Sequence, residues 1–165
     1  MRFRKQVAKE IKMSETDNLS GLTLAQQVHA VTEDVPHLIA NLANTSSLIF
    51  GYFDRINWAG FYLMEDGKLV LGPFQGKPAC IEIAVGRGVC GTAAMRDETV
   101  IVEDVHCFEG HIACDSDSES EIVIPIHKNG KLFGVLDIDS PVKHRFTDVE
   151  KKELEETVRV LETAI

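Results

Sequence analysis

The run EIVIPIHKNGKLFGVLDID, Glu121 to Asp139, restricts the fold more than any other stretch of the chain. Asn129-Gly130 is the dipeptide that best accepts the positive φ angles of a type I′ turn, and aliphatic, β-favouring residues flank it. Strands joined this tightly pair antiparallel. Side chains alternate along a strand, so Ile122, Ile124 and Ile126 share a face, as do Leu136 and Ile138 on the return. These apolar sets turn to the core. Glu121, Val123, Asp137 and Asp139 then point the other way. The hairpin predicts a sheet with one apolar face and carboxylates on the opposite face, although aspartate is depleted in strands.

A second hairpin precedes it. NWAGFYLME reads as a strand, Glu65–Lys68 (EDGK) as its turn, and LVLGPF as the strand that pairs back. ACIEIAV alternates, with Ile81, Ile83 and Val85 on one face, and TVIVEDV supplies a further strand. From Thr23 the pattern is helical, with Leu38, Leu42, Thr45 and Ile49 at helical spacing and Pro36 near a first turn. GRGVCGTAAMRDE begins with glycines and continues in helix formers, which predicts a short helix from about Val89. FTDVEKKELEETVRVLETAI closes the chain as a helix, Thr147 and Glu150 forming a capping box and Val149, Leu154, Val158 and Leu161 the apolar stripe. Hairpins without repeated βαβ units predict an α+β domain: a six-stranded, mostly antiparallel sheet, N- and C-terminal helices on one face, and a long loop on the other.

Bulk properties narrow the function. The 165 residues suit one domain, expected over 21–165, with residues 1–20 a polar, mobile leader. A second methionine, Met13, leaves the start open between such a leader and translation from Met13. A net charge of −9 argues against nucleic-acid or anionic-membrane partners. No apolar run approaches the ~18 residues of a membrane span, and MRFRKQVAKEIK has no apolar segment of a secretory signal. The expectation is a cytoplasmic protein, where cysteines stay reduced unless catalytic. All 4 cysteines, Cys80, Cys90, Cys107 and Cys114, fall in one stretch, which points to redox chemistry or metal.

Cys90 is predicted in the first turn of its helix, where backbone N–H groups, the helix dipole and nearby Arg87 favour a thiolate. Packing where that helix meets the sheet is the competing reading. Cys114 sits in GHIACDSDSESE, a loop long enough to expect function, between His106 and His111 on one side and Asp115 and Asp117 on the other. An exposed sheet face is one reading of Glu121, Asp137 and Asp139; if they close on one pocket instead, they repel one another, and one is expected to stay protonated near neutral pH. Such a group donates to a leaving oxygen, and an ionised one binds an ammonium. Trp58 and Tyr62 share a face of their strand and suit an apolar ligand with a cationic end, or a plain core. His106, Cys107, His111 and Cys114 are zinc-ligand types without the paired spacing of a knuckle, and GRGVCG lacks the lysine of a phosphate loop. Neither a metal nor an organic cofactor is expected.

The runs LANTSSLI, INWAGFYL, LVLGPFQGKPAC, VGRGVCGTA, EDVH, GHIACD, SEIVIPI, GVLDIDSP and RFTD, spanning Leu42 to Asp148, closely resemble the free methionine-(R)-sulfoxide reductases, single-domain members of the GAF superfamily. The resemblance implies a cytoplasmic enzyme that reduces free L-methionine-R-sulfoxide and is recycled by thioredoxin. By that match Cys114 is the nucleophile, Cys80 the main resolving cysteine, and Cys90 an auxiliary or second one. Glu121, Asp137 and Asp139 hold substrate and supply protons, and Trp58 and Tyr62 wall its methyl end. Cys107 falls outside the family's motif cysteines. The alternatives are a non-catalytic GAF sensor, disfavoured because no output module follows the closing helix, and a zinc-binding interaction domain. A homodimer through the terminal helices is expected.

Overall fold

Asn129 and Gly130 adopt φ angles of 54° and 72°, and the hairpin they close joins the strands β5 (Ser120–Lys128) and β6 (Lys131–Ser140). In this computed structural model the described residues are 19, 21–108, 110 and 116–165. The expected leader therefore lies almost wholly outside them, as do His111, Cys114 and Asp115.

The remaining elements are α1 (Leu24–Thr32), α2 (Leu38–Tyr52), β1 (Trp58–Glu65), β2 (Lys68–Gly76), β3 (Glu82–Ala84), α3 (Gly88–Arg96), β4 (Val100–Val102) and α4 (Asp148–Glu162). A 3-10 turn spans Val105–Cys107. The strands form one sheet in the order β3-β2-β1-β6-β5-β4, every neighbouring pair antiparallel. This is the expected α+β layout. The turn between β1 and β2 has Asp66 and Gly67 at positive φ, as its Asp-Gly predicts.

The two faces divide the labour. On one, Leu24, Val28, Leu42, Ile49, Leu154 and Leu161 of α1, α2 and α4 pack against Ile122, Ile124, Ile126, Leu136 and Ile138. Each such side chain contributes about 1.5–3 kcal/mol by leaving water, so this layer can hold the sheet together while the opposite face carries polar groups. That face packs α3 through Val89, Cys90 and Ala93 against Tyr62, Val123 and Val135.

Three expectations need correction. The N-terminal helical segment is two helices, not one. Thr23 caps α1 in a box with Gln26, Asp34 takes a positive φ, and Pro36 cannot extend the helix, so the chain restarts at Leu38. In ACIEIAV only Ile83 is buried; Ile81 and Val85 are 73% and 39% exposed. β3 is an edge strand paired over Lys68–Val70 of β2 alone, so the chain leaves the sheet on either side of it. Thr147 and Glu150 do cap α4, but Val149 is 73% exposed. At 3.6 residues per turn it lies about 140° around the helix from Leu154, away from the sheet.

Candidate active site

Strand register brings the carboxylates together. Glu121 on β5 lies opposite Asp139 on β6, which lies opposite Trp58 on β1. These three form one row across the central strands, with side chains within cross-strand reach. Asp137 begins the next row, between Val123 and Gly60. Gly60 has no room for a side chain: a Cβ there would sit 2.3 Å from the Phe74 Cβ and 2.7 Å from the Trp58 ring. The absence of that side chain lets Trp58 stack on Phe74, with ring centres 5.2 Å apart, and lie 5.9 Å from Tyr62. The predicted pair of aromatics is thus one wall.

The same two aromatics hold the segment that carries Cys80. Trp58 Nε1 donates to the Lys77 carbonyl at 3.1 Å, and the Tyr62 hydroxyl to the Cys80 carbonyl at 3.0 Å. Lys77 also pairs with Asp117. Cys80 is engaged in a disulfide, whereas Cys90 and Cys107 are free thiols. Cys107 is exposed, and His106, of the weighed zinc set, turns to Glu119 at 3.4 Å.

α3 closes the pocket from above. A Cβ on Gly91 would lie 2.4 Å from the Ala84 carbonyl, so the helix start sits directly on the end of β3. Gly86 N–H donates to the Gly91 carbonyl at 2.7 Å and fixes it there. Cys90 falls in the first turn, as expected, with its sulfur 3.9 Å from Glu121 Oε1. Trp58, Tyr62, Arg87, Cys90, Glu121, Asp137 and Asp139 line a single pocket. All described site residues predicted from sequence are there except Cys80, whose carbonyl Tyr62 holds beside it.

Electrostatics separate the groups. Burial, then Asp137 and Asp139, pushes the Glu121 carboxyl well above the ordinary glutamate range. Burial raises Asp137 to about 6, opposed by hydrogen bonds from Cys90 and Glu121. The upward push on Glu121 agrees in direction with the expectation of a carboxyl that stays protonated near neutral pH. The expectation for Cys90 is reversed. Burial and the neighbouring Asp137 and Glu121 push its thiol well up, because the helix dipole's contribution of about 0.3–1 kcal/mol is smaller than these opposing effects. Burial and Asp137 likewise raise the Tyr62 hydroxyl.

One Asp137 oxygen, Oδ1, is buried without a hydrogen-bond partner. An ionised group left so costs stability that an incoming cation or proton recovers. The sign follows from linkage: the folded state binds the Asp137 proton more tightly than the unfolded state, so this group's contribution to stability falls as pH rises from 3.8 to about 6. Asp137→Asn removes that loss. Its melting temperature is expected to exceed the wild type's at pH 7 but not at pH 4; no gain at pH 7 would contradict the assignment.

Ser118 was not predicted. It is buried at the pocket and accepts from Asn57 Nδ2 at 3.1 Å, while Ser116 and Asp117 beside it are exposed. Nothing local in DSDSESE distinguishes it from its neighbours.

A GAF domain family model matches residues 23–165. The free methionine-R-sulfoxide reductase of Escherichia coli (strain K12) is 52% identical over 142 residues, covering 86% of each chain. Among solved structures, fRMsr of Staphylococcus aureus in complex with substrate superposes with a TM-score of 0.82 at 52% identity, covering 86% of this chain and 92% of that one. The free methionine-R-sulfoxide reductase of Neisseria meningitidis, in complex with its substrate, has a TM-score of 0.83 at 42% identity, covering 86% of this chain and 85% of its own. The chain belongs to the free methionine-R-sulfoxide reductases, a family built on the GAF domain.

Proposed function

We propose that this protein reduces free L-methionine-R-sulfoxide to L-methionine. The observation that carries the reading is one pocket combining a stacked aromatic wall with three carboxylates, two of them buried and raised. An amino acid with a small apolar end and an ammonium matches that division. Trp58 and Tyr62 take the methyl end, and Asp137 and Asp139 take the ammonium. Arg87 and the N–H groups at the start of α3 suit the substrate carboxylate. A peptide-bound residue lacks both charged ends, so it is excluded.

The Cys114 thiolate attacks the sulfoxide sulfur while Glu121 protonates its oxygen. The oxygen passes to Cys114 as a sulfenic acid, and methionine leaves. The Cys80 thiol displaces that oxygen as water and forms a disulfide with Cys114. A thioredoxin dithiol then reduces it by exchange and leaves oxidised itself. Cys114 lies outside the described residues, and its role rests on the match at GHIACD. The disulfide at Cys80, with Cys90 and Cys107 free, supports Cys80 as the resolving thiol. The cycle uses no metal or organic cofactor. A thioredoxin partner suits the cytoplasm, and no described helix is long and apolar enough to cross a membrane. Exposed Leu22, Ile39 and Phe50 on α2 and just before α1 support pairing of two copies there.

The test is consumption of NADPH coupled through thioredoxin and its reductase. Turnover is expected with free L-methionine-R-sulfoxide and not with the S epimer or the peptide-bound form. A protein that binds the free form without consuming NADPH would instead be a sensor.

A further inference from the structure

Cys90 is buried and free, yet no step above uses it. Its sulfur is 3.9 Å from Glu121 Oε1, and single ligand atoms of Cys90, Glu121 and Asp137 lie within 4.8 Å of one another. The Gly91–Ala84 approach and the Gly86–Gly91 hydrogen bond fix the backbone of the turn that carries it. Resting on the reductase reading, we propose that Cys90 is a positioning residue whose S–H donates into the Glu121–Asp137 pair and holds its shared proton for transfer, with no part in disulfide exchange.

The surroundings agree with a neutral donor. Glu121 faces the thiol from β5, Asp137 and Asp139 from β6, and Tyr62 from β1. Arg87 at the start of α3 is the cation among the described pocket residues; Glu82 of β3 is paired with Lys68 on the surface, and β4 brings only Val100, Ile101 and Val102. A buried thiol facing carboxyls stays protonated and is a poor nucleophile. An S–H is a weak donor that favours the ionised form of the carboxylate it serves. Its contact therefore opposes the upward push of burial on both carboxyls. Without it the pair would hold its proton to higher pH.

The test compares Cys90→Ala and Cys90→Ser. Titration of the carboxyl pair, followed by the infrared carboxyl stretch in the reduced, substrate-free protein, is expected to move up by about half a unit to one unit in Cys90→Ala. Cys90→Ser, which restores a donor, returns it to the wild-type position. The basic limb of the single-turnover pH profile moves in the same way, and both variants recycle with thioredoxin. Cys90→Val supplies the same comparison with the volume filled. An unmoved titration in the alanine and valine variants, a serine variant that behaves like alanine, or loss of recycling in Cys90→Ser would overturn the proposal. If the wild type reduces no methionine sulfoxide, the function proposed above fails, and the infrared titration still decides the role of Cys90.

Discussion

Cys114→Ser is expected to release no measurable methionine from free L-methionine-R-sulfoxide, a loss of at least about a thousandfold in the first turnover. A serine hydroxyl is not ionised at neutral pH, and the described carboxyl groups of the pocket are arranged to hold protons and cations, not to deprotonate an alcohol. Cys80→Ser should separate the two halves of the cycle. Its first methionine is expected at the wild-type rate, since the nucleophile and acid are intact, and turnover should then stop. The measurement mixes reduced protein with excess substrate, without thioredoxin, and quantifies methionine by chromatography. Retained release in Cys114→Ser would move the nucleophile to another cysteine.

Glu121→Gln is expected to slow the same first turnover by about a hundredfold to ten-thousandfold, the usual contribution of a positioned general acid. Glutamine fits the site and can hydrogen-bond an oxygen, but it carries no transferable proton. Glu121 is 6% exposed, and burial and both aspartates push its carboxyl well above the ordinary glutamate range. Asp139→Asn, at the mouth of the same row, is expected to raise KM more than it lowers kcat, as loss of an ammonium contact should. The two variants exchanging these effects would exchange the roles of the two carboxyls. Chemistry and binding are thus read from separate constants.

Much of this arrangement was legible in the sequence. The Asn129-Gly130 turn and the isoleucine alternation placed Glu121, Asp137 and Asp139 on one face, and the register of β5, β6 and β1 joins them to Trp58. Local chemistry failed at Cys90, where the helix start argued for a thiolate. Burial, together with two carboxyls arriving from β5 and β6, outweighs the dipole, and both are tertiary facts that no neighbouring residue signals. Ser118 was missed for the same reason: its hydrogen-bond partner is Asn57, just before β1 and distant in sequence. Val149 and Ile81 show the opposite failure. Their periodicity was apolar, but one lies around the helix from the sheet and the other beyond an edge strand.

The most direct test is the methionine released by stoichiometric reduced protein in a single turnover, without thioredoxin, from four substrates: the free R and S sulfoxides and the peptide-bound form of each. About one methionine per chain is expected from the free R sulfoxide, and none from the other three. Equal release from free and peptide-bound substrate, or none from the free R form, would contradict it.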